Sequence, residues 1–481
     1  MIIDLIGGTY EHRFKDWNAQ RTINWYPKIS DQKEKDKTQI GLFPRAGLSL
    51  FSNLSGLSVR GSFTARTLTQ ERLFAVVGTT LHEIYYDGST VSRGSLTGMS
   101  TGSRSKVYMK INGNSQLMIQ DPLTGYIFDL TTNTLTRITD VDYPKGTTLD
   151  YADGYFIISD SNGRVSFSAL NDGFTWSGLD FFTPTFKADK VKAIVANREE
   201  IFCFGDETIE VYINDGETPF IRQSRTSSYY GLTARDSIAV HQAGVFFLGN
   251  CPTGGSEVYL MGSDYSITPL SSPGISQILN QYTNEDAEGF IQCTKDGHIF
   301  YHLHLPALKT TLVYDITTQM WHERQSERPY ADVDGTHSQD MYRGRNHIIF
   351  KGLSLYGDWH SGKIFKEDNS ITTDDGYIRK LERISPVFHN ELKNISVFAL
   401  EIDINTGFGD DSSVILSYSM DGGNTFEQEQ YLDLGDLGNY GNRIRTGALG
   451  TSRNWVMRLL ITDPIDIIIM QAVARGSFGD W

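Results

Sequence analysis

The sequence predicts an all-β chain, a β-propeller of six to eight blades with a C-terminal β-sandwich-like domain. Three observations carry this. Apolar strand-like runs recur every 40 to 50 residues or so, each followed after a short polar turn by a second run. Sustained 3.6-residue periodicity is nearly absent, with 276–282 the one short-helix candidate. Finally, 46 Gly, 24 Tyr and 26 Phe with only 13 Pro favour short strands and tight turns over disorder.

The repeat is clearest between Val165 and Tyr212. A short β-like segment (Val165, Phe167) enters the turn Asn171, Asp172, Gly173. After Leu179, Phe181 and Phe182 comes a polar connection through Asp189. The runs 201–204 and 208–212, split by Gly205, Asp206 and Glu207, then form a hairpin, because Gly and Asp reach the backbone angles of a tight reversal. Comparable first runs begin at Leu73, Gln116, Tyr155, Ile201, Val245, Ile299 and Ile348, separated by 43, 39, 46, 44, 54 and 49 residues. The second runs are 81–86, 126–130, 165–167, 209–213, 258–261, 312–316 and 363–365. This is the spacing of propeller blades, whose sheets bury both faces only by stacking around an axis. Stacked β-sandwiches would give similar strand spacing, but the register persists over some 300 residues, which favours the propeller.

In chain order, residues 1–59 lack the repeat and are expected to be an N-terminal extended segment and linker. They hold a charged stretch at 11–20, an extended piece at 22–27 and a lysine-rich linker at 28–37 expected to be solvated. Asn24, Trp25, Tyr26 and Pro27 place two large aromatics before a proline, which imposes extended backbone. Such a piece anchors either on its own domain or on a partner, and the sequence leaves both open. Residues 60–375 form the propeller. Its pattern breaks at Thr372, Thr373, Asp374, Asp375 and Gly376, a turn or domain junction. Residues 376–481 are a C-terminal β-domain, in which 395–404, 413–419, 455–461 and 465–473 alternate apolar and polar residues and 433–445 is an exposed Gly- and Asn-rich loop.

Charge and cysteines narrow the function. With 43 basic against 58 acidic residues the net charge is −15, the wrong sign for a protein that grips nucleic acid. Cys203, Cys251 and Cys293 are odd in number and without metal-like spacing, which suits a reducing compartment. No signal-like segment opens the chain and no run approaches the ~20 apolar residues of a membrane span. A soluble chain without membrane insertion is expected.

Ser419, Asp421, Gly423, Thr425 and Phe426 match an Asp-box, with Phe in place of the usual Trp, and Asn171, Gly173, Thr175 and Trp176 form a degenerate copy. Short polar side chains brace such a turn over an aromatic ring without any chemistry, so a structural role is expected. Asp-boxes also occur in sialidases, but no motif here supplies that arginine cluster or the paired Tyr and Glu. His302 and His304 share a strand face with His298 just before them; lacking a Cys or carboxylate cluster they read as core or interface residues rather than metal ligands. Asp332, Asp334, Gly335 and Asp340 only faintly suggest a calcium loop and do not fit the EF-hand spacing. Phosphate-binding, nucleophile-elbow and zinc-hydrolase motifs are missing. The reading is therefore of a non-enzyme with no catalytic residues, cofactor or metal.

Several segments in order resemble the packaged-DNA stabilisation proteins, or tail hub and nozzle proteins, of short-tailed bacteriophages. They are Asn24 to Pro27 with Phe43, Pro44, Gly47 and Leu48; Thr175, Trp176, Leu179 and Asp180; Gly205, Thr208, Ile209, Glu210 and Val211; and Gly216, Pro219, Phe220 and Arg222. Arg45 interrupts the Pro-Gly pair of that pattern. The resemblance implies a structural protein of the virion tail, assembled in the host cytoplasm. It would form a six-fold ring below the portal-bound adaptor, continue the DNA channel to ejection, retain packaged DNA, and dock tailspikes or fibres and a plug or needle. Genomic DNA would pass without specific recognition, and an acidic wall suits sliding over phosphate. The competing classes are a propeller glycosidase and a carbohydrate-binding protein acting on host surface glycans, both of which would work as monomers.

Overall fold

The computed structural model describes residues 2–29, 40–102, 105–187, 189–216, 219–250, 254–333, 335–391, 393–407, 412–427 and 429–479. Most of the predicted lysine-rich linker, Cys251 and Asp334 lie outside them. Among the described residues, seven antiparallel blades succeed one another at 59–95, 108–137, 148–182, 191–222, 231–269, 288–327 and 344–368. In all but the fifth blade the strand that comes first in sequence is innermost; in the fifth, Gly231–Leu232 and Ala239–His241 both pair with Gly244–Asn250, the former touching the fourth blade and the latter the sixth, and the seventh blade's inner strand meets the first's. The outermost strand of the seventh blade comes from the other end of the chain: Gly47–Asn53 pairs antiparallel with Lys363–Asp368, Leu48 opposite Glu367. Ring closure is thus a hydrogen-bonded ladder between remote segments.

The hairpin at the centre of the sequence pattern forms between Glu200–Gly205 and Ile209–Ile213. Asp189, from the preceding connection, fixes its turn by accepting from the amides of Asp206, Glu207 and Thr208 at 2.7–2.8 Å. A Cβ at Gly205 would stand 2.3 Å from that carboxylate, which explains the glycine. In the last copy the strand order differs from the expected one. Ile348 lies in the innermost strand, Gly344–Phe350, and the second strand is Leu353–Asp358. The run Ile348 to Phe350 is the more apolar of the two, so hydrophobicity drew the pattern one strand inward. The short helix runs Pro273–Leu279, three residues earlier than its apolar pattern, because Ser272 caps the Ile275 amide and Pro273 takes the first helical position. No helix among the described residues is long and apolar enough to cross a membrane.

Two sheets make the C-terminal sandwich. One orders Trp25–Ile29, Ile40–Pro44, Ile469–Phe478 and Ile395–Ile404 side by side. In Ile395–Ile404 an extra residue between Val397 and Ala399 bulges the strand, so the side chains that enter the core are Ile395, Val397, Leu400, Ile402 and Ile404 and the simple alternation is interrupted. The other sheet contains Ala19–Ile23, Leu381–Ile384, Val456–Ile461 and Ser413–Ser419. Between them Trp25 and Trp455 are fully buried, their indole N–H groups donating to the carbonyls of Ile467 at 3.0 Å and Ile395 at 3.1 Å. The second sheet continues into the propeller, since Ile23 pairs in parallel with Glu323 of the sixth blade's outer strand.

The N-terminal stretch is therefore woven through both bodies. Asn24, at φ 59°, turns the chain from one sandwich sheet to the other, and Arg45 marks its passage from the sandwich into the seventh blade. Asp374 stands where the chain leaves the propeller, and Arg45 Nη1 donates to its Oδ1 at 2.8 Å in full burial. Asn24 Oδ1 accepts from Arg45 Nε at 2.8 Å, the Gln325 carbonyl accepts from Nη2 at 3.2 Å, and Ser326 Oγ donates to Asp374 at 2.6 Å. Arg379 donates to the Arg45 carbonyl and to Asp466. Arg383, beside strand Ala19–Ile23, gives its protons to the carbonyls of Leu5 and Gly8, Thr22 Oγ1 and Gln20 Oε1. Burial pushes its pKa down to about 10. The Pro-Arg-Ala-Gly departure in sequence is thus the place where the two domains are pinned together.

Breaking a buried ion pair from one side leaves an uncompensated charge, so Arg45→Met is expected to cost about 3–5 kcal/mol, with most of it recovered in Arg45→Met/Asp374→Leu. Denaturant unfolding of the two variants measures this, and equal destabilisation of single and double variants would show that the pair is not coupled.

Candidate functional site

Propellers place chemistry where their inner strands converge, so the axis comes first. There the second blade reaches the fifth: Tyr108, on Tyr108–Ile111, donates its hydroxyl proton to Asp236 Oδ1 in the short 3-10 helix Arg235–Ser237 that precedes Ala239–His241. Lys106 Nζ at 3.9 Å and Arg235 Nη2 at 3.2 Å surround the same carboxylate. Burial opposes ionisation of Asp236, yet Lys106 and Arg235 hold its carboxyl below the usual range. The Tyr108 phenol is pushed well above its ordinary value by burial and then by Asp236. Neighbouring blades are tied through their inner strands, by Lys110 to Asp150 at 2.6 Å and by Arg345 to Glu288, with Arg345 Nη1 also donating to the Val59 carbonyl at 3.0 Å. Side chains from opposite blades therefore cross the bore.

The Asp-box residues of the sandwich sit together. Ser419 Oγ donates to Asp421 Oδ1 at 2.6 Å and accepts from the Gly423 amide at 2.8 Å. Asp421 also accepts from the amides of Asn424 and Thr425 at 2.9 Å and from Thr425 Oγ1 at 2.6 Å. Phe426 is half-buried, with the Arg458 guanidinium 6.0 Å from its ring centre. Burial works against the Asp421 charge, but the hydrogen bonds from Ser419, Thr425 and Asn424 prevail and hold its pKa at about 2. In the degenerate copy, Trp176 is buried and donates to the Gly173 carbonyl at 3.0 Å, while Thr175 Oγ1 donates to Asp172.

His302 and His304 do share a face, in contact with the seventh blade. His302 stacks on Phe290 at 4.5 Å, and His304 bridges Thr311 Oγ1 at 2.7 Å and the Gly344 carbonyl at 2.9 Å. His298 instead meets Asp315 at 2.9 Å. Asp332 and Asp340 both turn to Arg328, at 3.4 and 2.8 Å. Among the described residues no three His, Cys, Asp or Glu side chains are placed to hold one metal ion. Cys203 is buried and Cys293 exposed, neither paired.

Of the segments that carried the family resemblance, Thr175 to Asp180 and Gly205 to Arg222 serve the third and fourth blades, while Trp25 to Pro27, Phe43 and Pro44 lie in the sandwich and Gly47 and Leu48 in the seventh blade. Glu210 is buried and accepts from the Phe186 amide at 2.9 Å and from Tyr212 at 3.3 Å, with Arg222 at 3.8 Å. Leu179, Phe181, Phe186 and Tyr229 are left exposed on this side of the ring. Sequence reasoning missed Tyr108 and Asp236 as partners; 128 residues separate them and no local motif marks either.

The family model described as bacteriophage P22 Gp10, beta-propeller, matches residues 1–372, and that described as bacteriophage P22 Gp10, beta-sandwich, matches residues 380–477. No curated protein matches the chain. Similar solved structures include virginiamycin B lyase from Staphylococcus aureus, 10% identical over 67% of this chain and 98% of that one, with a TM-score of 0.42. PorZ of Porphyromonas gingivalis is 9% identical over 80% of this chain and 46% of that one, with a TM-score of 0.38. Likenesses this distant carry no functional argument.

If the Asp-box only braces its turn, Asp421→Ala lowers stability by roughly 0.5–2 kcal/mol, the range of lost local caps. Because the folded carboxyl titrates at about 2, below its unfolded value, its contribution is complete above about pH 4 and fades as pH falls through 2. Acid unfolding of wild type and Asp421→Asn checks this, the variant losing that part of the pH dependence. Loss of a sugar-cleaving activity in a folded Asp421→Ala variant would contradict the structural role.

Proposed function

This chain belongs to the bacteriophage P22 Gp10 family of phage stabilisation proteins, and we propose that it is the tail hub, or nozzle, that retains packaged DNA. Family membership across both the propeller and the sandwich carries the proposal. Six copies form a ring below the portal-bound adaptor, the DNA channel continues through it to ejection, and tailspikes or fibres and a plug or needle dock on it. As a structural component it performs no catalysis.

Tyr108 and Asp236 cross each propeller's own axis, so the channel lies between subunits, along the axis of the ring. A net charge of −15 favours sliding over gripping. A closed ring needs two different complementary patches on every subunit and a third for the adaptor. The aromatic and aliphatic side chains exposed beside the third and fourth blades supply apolar surface for one of them. We further propose that residues 1–59, read from sequence as an extended segment and linker, act as the strap between the propeller, 60–375, and the C-terminal β-domain, 376–481.

The isolated chain is expected to be largely monomeric and to form six-fold rings on portal-adaptor complexes, where the template raises local concentration. Particles lacking it should package DNA and leak it on mild heating, measured by counting DNA-filled particles. Equal retention with and without the protein would remove the stabilising role, and sugar release from host glycans would favour the glycosidase.

A further inference from the structure

A cavity of about 490 Å³ opens between the sixth and seventh blades and the sandwich strand Trp25–Ile29, with Tyr26, Phe300, Arg324, Lys295 and Glu367 in its wall. Its carboxylates already have partners. Asp296 accepts from Tyr26 at 3.2 Å and Lys28 at 3.0 Å. Glu367 accepts from Gln292 Nε2 and Ser354 Oγ, both at 2.7 Å. Asp368 accepts from Lys366 at 3.1 Å and Ser370 at 2.7 Å.

Arg324 differs. It is fully buried, its Nη1 donates to the neutral Gln292 Oε1 at 2.9 Å, and its Nε has no acceptor. Among the described residues no carboxylate lies within ion-pair distance of it. The equally buried Arg45, Arg60, Arg343 and Arg345 each meet one, in Asp374, Asp121, Asp358 and Glu288. Arg383 lacks one too, but four neutral oxygens take its protons. The rings of Phe300 at 4.8 Å and Tyr342 at 5.7 Å from Arg324 Cζ offset part of the charge without using its hydrogen-bonding directions. A buried guanidinium left this way is costly unless an anion completes it.

We propose that this cavity is a carboxylate-binding site, with Arg324 as the anchor and Lys295 at its mouth. The planar fork of a guanidinium matches a carboxylate in two parallel hydrogen bonds, and the half-buried Tyr26 offers aromatic surface to the carbon skeleton behind it. The carboxylate comes from a free organic acid or from an acidic residue of an extended peptide. The site is independent of the tail assignment.

Calorimetric titration of the full chain with succinate, with an N-acetylated glutamate-containing tripeptide and with inorganic phosphate tests it. Saturable carboxylate binding is expected, weakened at least about tenfold in Arg324→Gln, as for loss of a charge-assisted contact. Without ligand, that variant should unfold at the same temperature as wild type or higher, since it relieves an unpaired charge. Lys295→Ala should weaken binding a few-fold, at unchanged stability. Tighter binding of the peptide than of succinate assigns the site to a protein segment, and the reverse order to a free acid. No saturable binding of either carboxylate, phosphate bound more tightly than both, undiminished binding in Arg324→Gln, or failure of Arg324→Gln to fold would each overturn the proposal.

Discussion

The buried pair Arg45–Asp374 is the contact on which the rest of the architecture depends. A propeller must close its ring, and this one closes with Gly47–Asn53, a strand drawn from the far end of the sequence. That strand has to be delivered from the sandwich at the right height and angle. Arg45 fixes the point of delivery, because Asp374, the Gln325 carbonyl and Asn24 Oδ1 converge on its guanidinium from three other passages of the chain. Ion pairs in a dry interior add little over a well-packed apolar contact, but they tolerate few alternative arrangements. The junction therefore specifies register more than it supplies stability.

The continuity of sheet across the junction has the same consequence. Ile23 pairs with Glu323, and through that bridge the outer strand of the sixth blade extends into the sandwich. Arg21 reinforces it with hydrogen bonds of 2.8 and 2.7 Å to the Glu323 carboxylate. Propeller and sandwich share a ladder, buried charges and the N-terminal strap. A load applied to the sandwich is thus carried into two blades at once, which suits the proposed role in retaining packaged DNA.

Much of this was legible in the sequence because it is local. Alternation within strands, Gly-Asp turns and the blade spacing depend on residues a few positions apart, and 395–404 and 413–419 were read at the bounds that Ile395–Ile404 and Ser413–Ser419 show. The Asp-box residues were found for the same reason. What escaped was long in range. Arg45 stood out only as a departure from a pattern, Asp374 only as a break, and nothing linked them. Tyr108 and Asp236 carry no motif at all. The seventh blade was offset by one strand because Leu353–Asp358 is flanked by Gly352 and ends in Gly357 and Asp358, and so signals weakly. Arg324 was invisible, since its distinction is a partner it lacks.

Function follows from where space is left open. The propeller bore is bridged, the histidines are packed between blades, and the Asp-box is spent on its own turn, so the ring's outer and end faces are what the molecule offers to others. The most direct measurement is an electron cryomicroscopy reconstruction of the virion tail at side-chain detail. Expected is a ring of six copies around the DNA, with every propeller axis displaced from the channel and Tyr108 still joined to Asp236. DNA density running through a propeller bore, or a tail with no copy of this chain around the channel, would contradict it.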